Sequence, residues 1–255
     1  MSEATTLPTR RDEAWRYADP DFLVENNAAV IGHWRTLEVP AGETRGEYTV
    51  HRSGATSEGM VDRLRVHVGK GGRFEAFKVI TGGTYARVEL EVTLEEGAHF
   101  EFGGVTIGGD AKTQEFVTLT KHDHPNATSN QTVRAVQWGK ATGSFLGEIK
   151  VARHAQKTDA AQDFKGLLLE PGASANAVPQ LEIFADDVKC AHGATVGQLD
   201  EAARFYMAAR GLSQEQAQRL LVQAFVGDAF VELEDEKMRE ELLSATLEAL
   251  ESAAL

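Results

Sequence analysis

Val66-His67-Val68-Gly69-Lys70-Gly71-Gly72-Arg73-Phe74-Glu75 lines up, position for position and 26 residues earlier, with Val92-Thr93-Leu94-Glu95-Glu96-Gly97-Ala98-His99-Phe100-Glu101. The first half of the unit returns as Leu167-Leu168-Leu169-Glu170-Pro171-Gly172-Ala173, 75 residues beyond Val92, close to three further periods. Self-similarity at a spacing of roughly 20–50 residues is the mark of a stacked repeat. The residues around the repeat alternate with period two. Leu64, Val66 and Val68 do so, then Val88, Leu90, Val92 and Leu94, and more loosely Phe145, Ile149 and Val151. Glycines cluster at 69–72, 82–83, 103–104 and 108–109, where strands would break. Repeats made of strands without helices point to a β-solenoid, in which each coil stacks its apolar face on the next. A β-sandwich of similar hairpins is the competing reading.

Outward from this core the chain divides into a short N-terminal segment (1–35), a β core (36–197) and a helical C-terminal part (198–255). Near the start, Thr9 to Tyr17 reads as a short helix. Thr9 is its N-cap, Asp12 and Glu13 lie in the first turn where the helix dipole favours acids, and Pro20 stops it. Trp15 and Tyr17 suggest that this arm docks, on its own domain or on something else. After Gly197, Leu199 to Arg210 reads as a helix closed by Gly211. Ser213-Gln214-Glu215-Gln216 is a capping box. It opens a second helix with Ala217, Leu220, Leu221, Ala224 and Phe225 on one apolar stripe. A third runs from Asp235 to Leu250 with Met238, Leu242, Leu243, Leu247 and Leu250 apolar. Such a trio either covers a solenoid end or docks a partner.

The formal net charge of −13 over 255 residues argues against nucleic acid and against anionic membranes as partners. No apolar run approaches the ~20 residues of a membrane span, and no export signal stands at the N-terminus. The expectation is a cytoplasmic protein. A single cysteine excludes an internal disulfide and any four-cysteine metal or cluster site within the chain. There is no GxxxxGK[ST] loop and no GxGxxG after a strand, so the chain shows no nucleotide site of its own and ATP hydrolysis would come from a partner.

That cysteine opens the stretch with most chemistry in it. On a strand, Cys190 and His192 project to one face. They would make a nucleophile–base pair, or two ligands for iron or zinc. Asp186 shares that face if the segment is a regular strand, giving a loose Cys–His–Asp triad; alternatively Asp186 and Asp187 would serve as acid or metal-binding groups of a polysaccharide-active solenoid enzyme. Two weaker candidates follow. His122-Asp123-His124 has the His-x-His spacing of a metal pair but precedes Pro125-Asn126 and reads as a turn. Gln156-Lys157-Thr158-Asp159 would bind phosphate or substrate, or form a solvated turn.

These residues carry a family resemblance. His154 to Asp159, Leu167 to Leu169 and the run from Pro179 to Thr195 resemble the SufB/SufD core family of the bacterial Suf iron–sulfur cluster assembly system. Gly197 to Asp200, Phe205-Tyr206, Arg210 to Leu212 and Ala224-Phe225 continue the match. Leu7 to Tyr17 looks like an N-terminal motif of the SufD branch, and the single cysteine also favours that branch. The resemblance implies a mainly β fold, a right-handed parallel β-helix with a C-terminal α-helical domain. It implies that most of an N-terminal helical domain of longer members is missing from this sequence. It implies a non-catalytic scaffold that pairs with SufB through the β-helix and docks the ATPase SufC through the C-terminal helices. Leu220, Leu221, Ala224 and Phe225 then fall in the SufC-docking region. A transient iron or iron–sulfur cluster would be shared with SufB, with His192 as the participating histidine and Cys190 as a supporting candidate. Whether the isolated chain forms a homodimer and whether a flavin joins the complex are not implied either way.

Overall fold

The computed structural model describes residues 8–25, 31–52 and 59–251. Its centre is twelve strands that alternate between two sheets. The odd strands β1 (Arg35–Val39), β3 (Met60–Val68), β5 (Tyr85–Leu94), β7 (Thr113–His122), β9 (Thr142–Val151) and β11 (Ser174–Ile183) form one sheet in that order. The even strands β2 (Thr44–His51), β4 (Arg73–Ile80), β6 (His99–Gly108), β8 (Thr128–Gln137), β10 (Asp159–Leu168) and β12 (Lys189–Gln198) form the other. Every pairing is parallel. Successive strands thus switch sheets, and two strands make one coil of a flattened parallel β-helix.

The 26-residue repeat is literally the stacking register. Val66 stands beside Val92 and Val68 beside Leu94 in the odd sheet; Arg73 beside His99 and Phe74 beside Phe100 in the even sheet. Inward side chains fill the space between the sheets, including Val66, Val92, Phe100, Phe102, Phe116, Phe145 and Phe164. Phe74 and Phe100, register neighbours in the even sheet, stack with ring centroids 5.8 Å apart, and Phe145 of β9 and Phe164 of β10 stack across the interior at 6.1 Å. The third copy does not belong to this register. Val92 lies in the odd sheet whereas Leu167 lies in the even one, so Glu170-Pro171-Gly172 turns the opposite corner. Both corners are tight and both favour glycine, which is why their letters look alike.

In the first five coils the corner from odd to even strands carries one left-handed residue. These are Gly42, Gly71, Gly97, Asn126 and Lys157, with φ of 71°, 64°, 67°, 62° and 63°. The N–H of each donates to the next coil: Gly97 to Pro125 O, Asn126 to Gln156 O, Lys157 to Asp187 O. A side chain is tolerated at this position at a modest cost, and asparagine least expensively.

The first coil is closed by charge. Lys78 is fully buried, with Nζ 2.7 Å from Glu47 Oε2 and 3.7 Å from Asp62 Oδ2. Arg35 bridges the same two carboxylates at 2.7 and 3.1 Å. A buried ammonium is tolerable only when so paired.

The N-terminal segment departs from expectation. Only Glu13–Trp15 make a single 3-10 turn, and Thr9 does not cap it; its N–H donates to Asp12 Oδ2 instead. Pro20 begins a helix rather than ending one: α1 spans Pro20–Glu25, with Asp19 accepting from the N–H groups of Asp21 and Phe22. Proline at the first helical position loses no hydrogen bond. The arm packs on its own solenoid. Trp15 is buried beneath Arg87, whose guanidinium lies 3.9 Å from the ring and donates to Ala14 O at 2.8 Å.

Three helices follow the solenoid, α2 (Glu201–Ala209), α3 (Gln214–Gly227) and α4 (Glu236–Glu251). Asp200 caps α2 through the N–H groups of Ala202 and Ala203, and Gly211 ends it at φ 87°. The capping box closes in both directions: Gln216 N–H to Ser213 Oγ at 3.1 Å, Ser213 N–H to Gln216 Oε1 at 2.9 Å. The helices do not cover an end of the solenoid. They lie on its flank, where Val222, Val226, Phe230, Leu242 and Leu250 share one apolar cluster with Phe77, Val79, Val105 and Val136 from the outer face of the even sheet. The fit is close: the carbonyl of Ala229 stands 2.1 Å from where a Cβ on Gly103 would be, so no other residue fits there.

Candidate functional site

The solenoid ends on β11 and β12. Each has one partner, β9 and β10 respectively, and among the described residues no strand pairs with their outer edges. The middle strands β4 to β9 bury at least half of their residues; β12 exposes nearly all of its own. Phe184, Val196 and Ile183 are exposed at this end, at 56, 49 and 37 %. A free parallel edge with apolar side chains beside it is a surface that proteins cover.

On this last rung Cys190 and His192 share one face, as strand periodicity predicts, and the register makes it the inward row. Cys190 continues the column Phe74, Phe100, Ser129, Ala160, and His192 continues Ala76, Phe102, Gln131, Gln162. The environments of the two differ. Cys190 is half-buried against the cluster of Ile149, Val151, Ala155 and Ala160. Burial, and then the negative charge of Asp159, push its thiol above the ordinary range. It is not an activated thiolate, which requires a neighbouring positive charge or helix N-terminus. His192 is exposed and has no hydrogen-bond partner among the described residues. Both imidazole nitrogens are therefore free for an incoming ligand.

The residue behind His192 was not anticipated. Gln131 and Gln162 are buried inward on the same row, each with an amide oxygen that lacks a partner. Gln131 Nε2 donates to Thr120 Oγ1 at 3.2 Å and Gln162 Nε2 to Gln180 O at 3.3 Å. The row that leads to His192 is thus apolar at Ala76 and Phe102 and polar at Gln131 and Gln162, next to His192. The trace in the sequence is two glutamines at inward positions of otherwise alternating strands.

The triad does not form. β11 ends at Ile183 and β12 begins at Lys189, so Asp186 and Asp187 lie in the bend between them rather than on the strand face of Cys190. Asp187 is committed to Lys157 and its N–H to Gln156 Oε1 at 2.9 Å. The same contacts make Gln156 to Asp159 a corner turn. His122 and His124 also part company. His122 is fully buried, with Nε2 3.0 Å from Ser129 Oγ, and burial lowers its pKa to about 4. His124 is exposed in the following turn, 6.0 Å from the His154 ring. Among the described residues no three His, Cys, Asp or Glu side chains stand close enough to hold a metal ion.

The second candidate surface is helical. The stripe on α3 is rotated from its expected position: Ala217, Val222 and Val226 are buried, Leu221 and Phe225 are half-buried, and Leu220 and Ala224 face solvent. On α2 no residue is buried, and Phe205 and Tyr206 are 78 and 59 % exposed. The outer faces of these two helices are left uncovered and partly aromatic.

A family model described as "SUF system FeS cluster assembly, SufBD core domain" matches residues 46–225. The chain is 39 % identical to the iron–sulfur cluster assembly protein SufD of Escherichia coli K12 over 127 residues, which is 50 % of this chain and 30 % of that protein. It is 35 % identical over 161 residues to an iron–sulfur cluster assembly SufBD family protein of Synechocystis, covering 63 and 36 %. It is 28 % identical over 245 residues to one of Mycobacterium tuberculosis, covering 92 and 58 %. The chain thus spans about a third of the length of the first two relatives. The matched segment includes both strands of the open end and helices α2 and most of α3. The chain belongs to the SufBD family.

Proposed function

We propose that this member of the SufBD family is a non-catalytic scaffold for iron–sulfur cluster assembly in the cytoplasm, of the SufD type. The open end of its β-helix pairs with a SufB-like partner. The uncovered faces of α2 and α3 dock an ATPase of the SufC type, which supplies the ATP hydrolysis. The nascent cluster, or its iron, is the cargo of the complex and is held where the two β-helices meet.

One observation carries this reading: His192 is an exposed, unpartnered imidazole on the last rung, beside free strand edges. Imidazole suits iron, and cluster ligation normally requires four donors. One histidine supplies one donor, and the raised thiol of Cys190 is a poor second at neutral pH. The remaining ligands must come from whatever covers the edge. A shared site of this type assembles only when partners meet, and a motion of the helical module that opens the interface would release its contents.

The test is a cluster-maturation assay in cells that depend on this protein, using His192→Ala, with assembly of the complex checked separately by co-purification. Loss of maturation in an intact complex is the expected result. Full maturation in an intact complex would remove His192 from the site.

A further inference from the structure

The buried arginine on the outer face of β8 lies between the helical module and the strand that carries His192. Arg134 is 2 % exposed. Its Nη1 donates to the carbonyls of Val133 and Asp163 at 2.9 and 3.1 Å. Its Nη2 is 2.5 Å from both Asp163 Oδ2 and Asp228 Oδ2, and Nε is 3.2 Å from the latter. Lys165 adds a second cation, with Nζ 3.5 Å from both carboxylates. Taking a guanidinium out of water is costly unless its donors are satisfied, and here all three nitrogens are used.

The two acids belong to different parts of the molecule. Asp228 opens the 3-10 turn Asp228–Phe230 at the end of α3, the same turn whose Ala229 carbonyl presses on Gly103 and whose Phe230 packs on Phe77. Asp163 lies on β10 and is the register partner of Gly193 on β12, the residue after His192. Asp163 Oδ1 comes within 3.3 Å of where a Cβ on Gly193 would be. Nη2 therefore joins the two directly: it holds Asp228 of the helical module and Asp163, the carboxylate that lies against the site strand, while Nε adds a second bond to Asp228 and Nη1 a bond to the Asp163 carbonyl. Apart from Arg134 and Lys165, both on Asp228, no described ion pair joins the even sheet to α3 or its terminal turn.

We propose that Arg134 is a positioning residue that couples the C-terminal helical module to β12, through Asp228 on one side and Asp163 on the other. Its functional consequence rests on the proposed reading of His192 and of the helices as docking faces: a partner that tilts the helices would pull on the rung that holds the site. The coupling itself is a property of the isolated chain. A staple that only anchored the helices would satisfy Asp228 without engaging Asp163.

The experiment is hydrogen exchange of the 255-residue chain, comparing wild type with Asp228→Asn and with Arg134→Lys. Asp228 is half exposed and its amide is isosteric, so the fold survives; lysine keeps the charge of Arg134 and loses the fork. Amides of Lys189–Gln198 are expected to exchange roughly fivefold faster in both variants, with β4 and β6 unchanged. Alkylation of Cys190, the only thiol, should quicken in step. Faster exchange confined to α2–α4 would overturn the proposal, as would no change anywhere, or equal acceleration in every strand. Because no cluster or partner is present, the outcome is independent of the His192→Ala maturation test.

Discussion

Half-burial beside Ala160, and the carboxylate of Asp159 nearby, oppose ionisation of Cys190. The half-rate pH for alkylation of this thiol should therefore lie above that of a free cysteine, measured as iodoacetamide incorporation against pH. A midpoint below the free value would restore Cys190 as a nucleophile. Period two in the sequence was enough to place Cys190 and His192 on one face, because a strand leaves no other choice. It was not enough to separate their roles. That separation comes from burial of the sulfur against Ile149 and Val151 on the facing sheet, some 40 residues earlier in the chain. The aspartates failed for a related reason: the bend at residues 184–188 ends the alternation before it reaches them.

At the scale of elements, local signals fared best where side chain and backbone satisfy each other. The capping box at Ser213 and Gln216 and the glycine stop at Gly211 are closed within a few residues and were legible as such. The buried face of α3 was not, because its stripe is chosen by the sheet it lies on. Val222 and Val226 meet Val105 and Val136, which leaves Leu220 and Ala224 outside. Pro20 was misread because proline ends one helix as readily as it starts the next. The rotated stripe sharpens the docking expectation. Phe205→Ala and Leu220→Ser should each weaken association with a SufC-type ATPase, the aromatic by about 2 kcal/mol, the scale of an interface hot spot. Neither should shift thermal unfolding of the chain alone, since both side chains are exposed. Titration calorimetry and a melt on the same samples check both halves; a lowered melting temperature with unchanged affinity would reverse the assignment.

Across the whole molecule the solenoid was readable because its repeat is its register, down to Phe74 over Phe100. Coils beyond the second lengthen, so that Phe100, Ser129 and Ala160 fall 29 and 31 residues apart, and the letters no longer align. What the repeat could not reveal is how the two ends differ. At one end the interior is filled by Lys78, Glu47 and Asp62, with His51 beside Asp62; at the other the inward row ends on Cys190 and His192. Two histidines tie the solenoid to pH. Burial, reinforced for His51 by Lys78, lowers His51 and His122 to about 4 from an ordinary value of 6.5. The unfolded chain therefore binds more protons between these values. Stability is fully present above pH 6.5 and falls as pH drops toward 4, by about 3 kcal/mol for each group. Urea midpoints at pH 7 and pH 5 should differ accordingly, and His122→Gln should flatten the dependence; an unchanged slope would place the titration elsewhere.

The central claim is that the open end holds a shared cluster through His192. Its most direct measurement is the iron and acid-labile sulfide bound by the complex co-purified anaerobically with SufB-like and SufC-like partners, for wild type and His192→Ala at equal subunit recovery. The account predicts that the variant complex assembles normally and loses most of both. Equal iron and sulfide in the two complexes would contradict it.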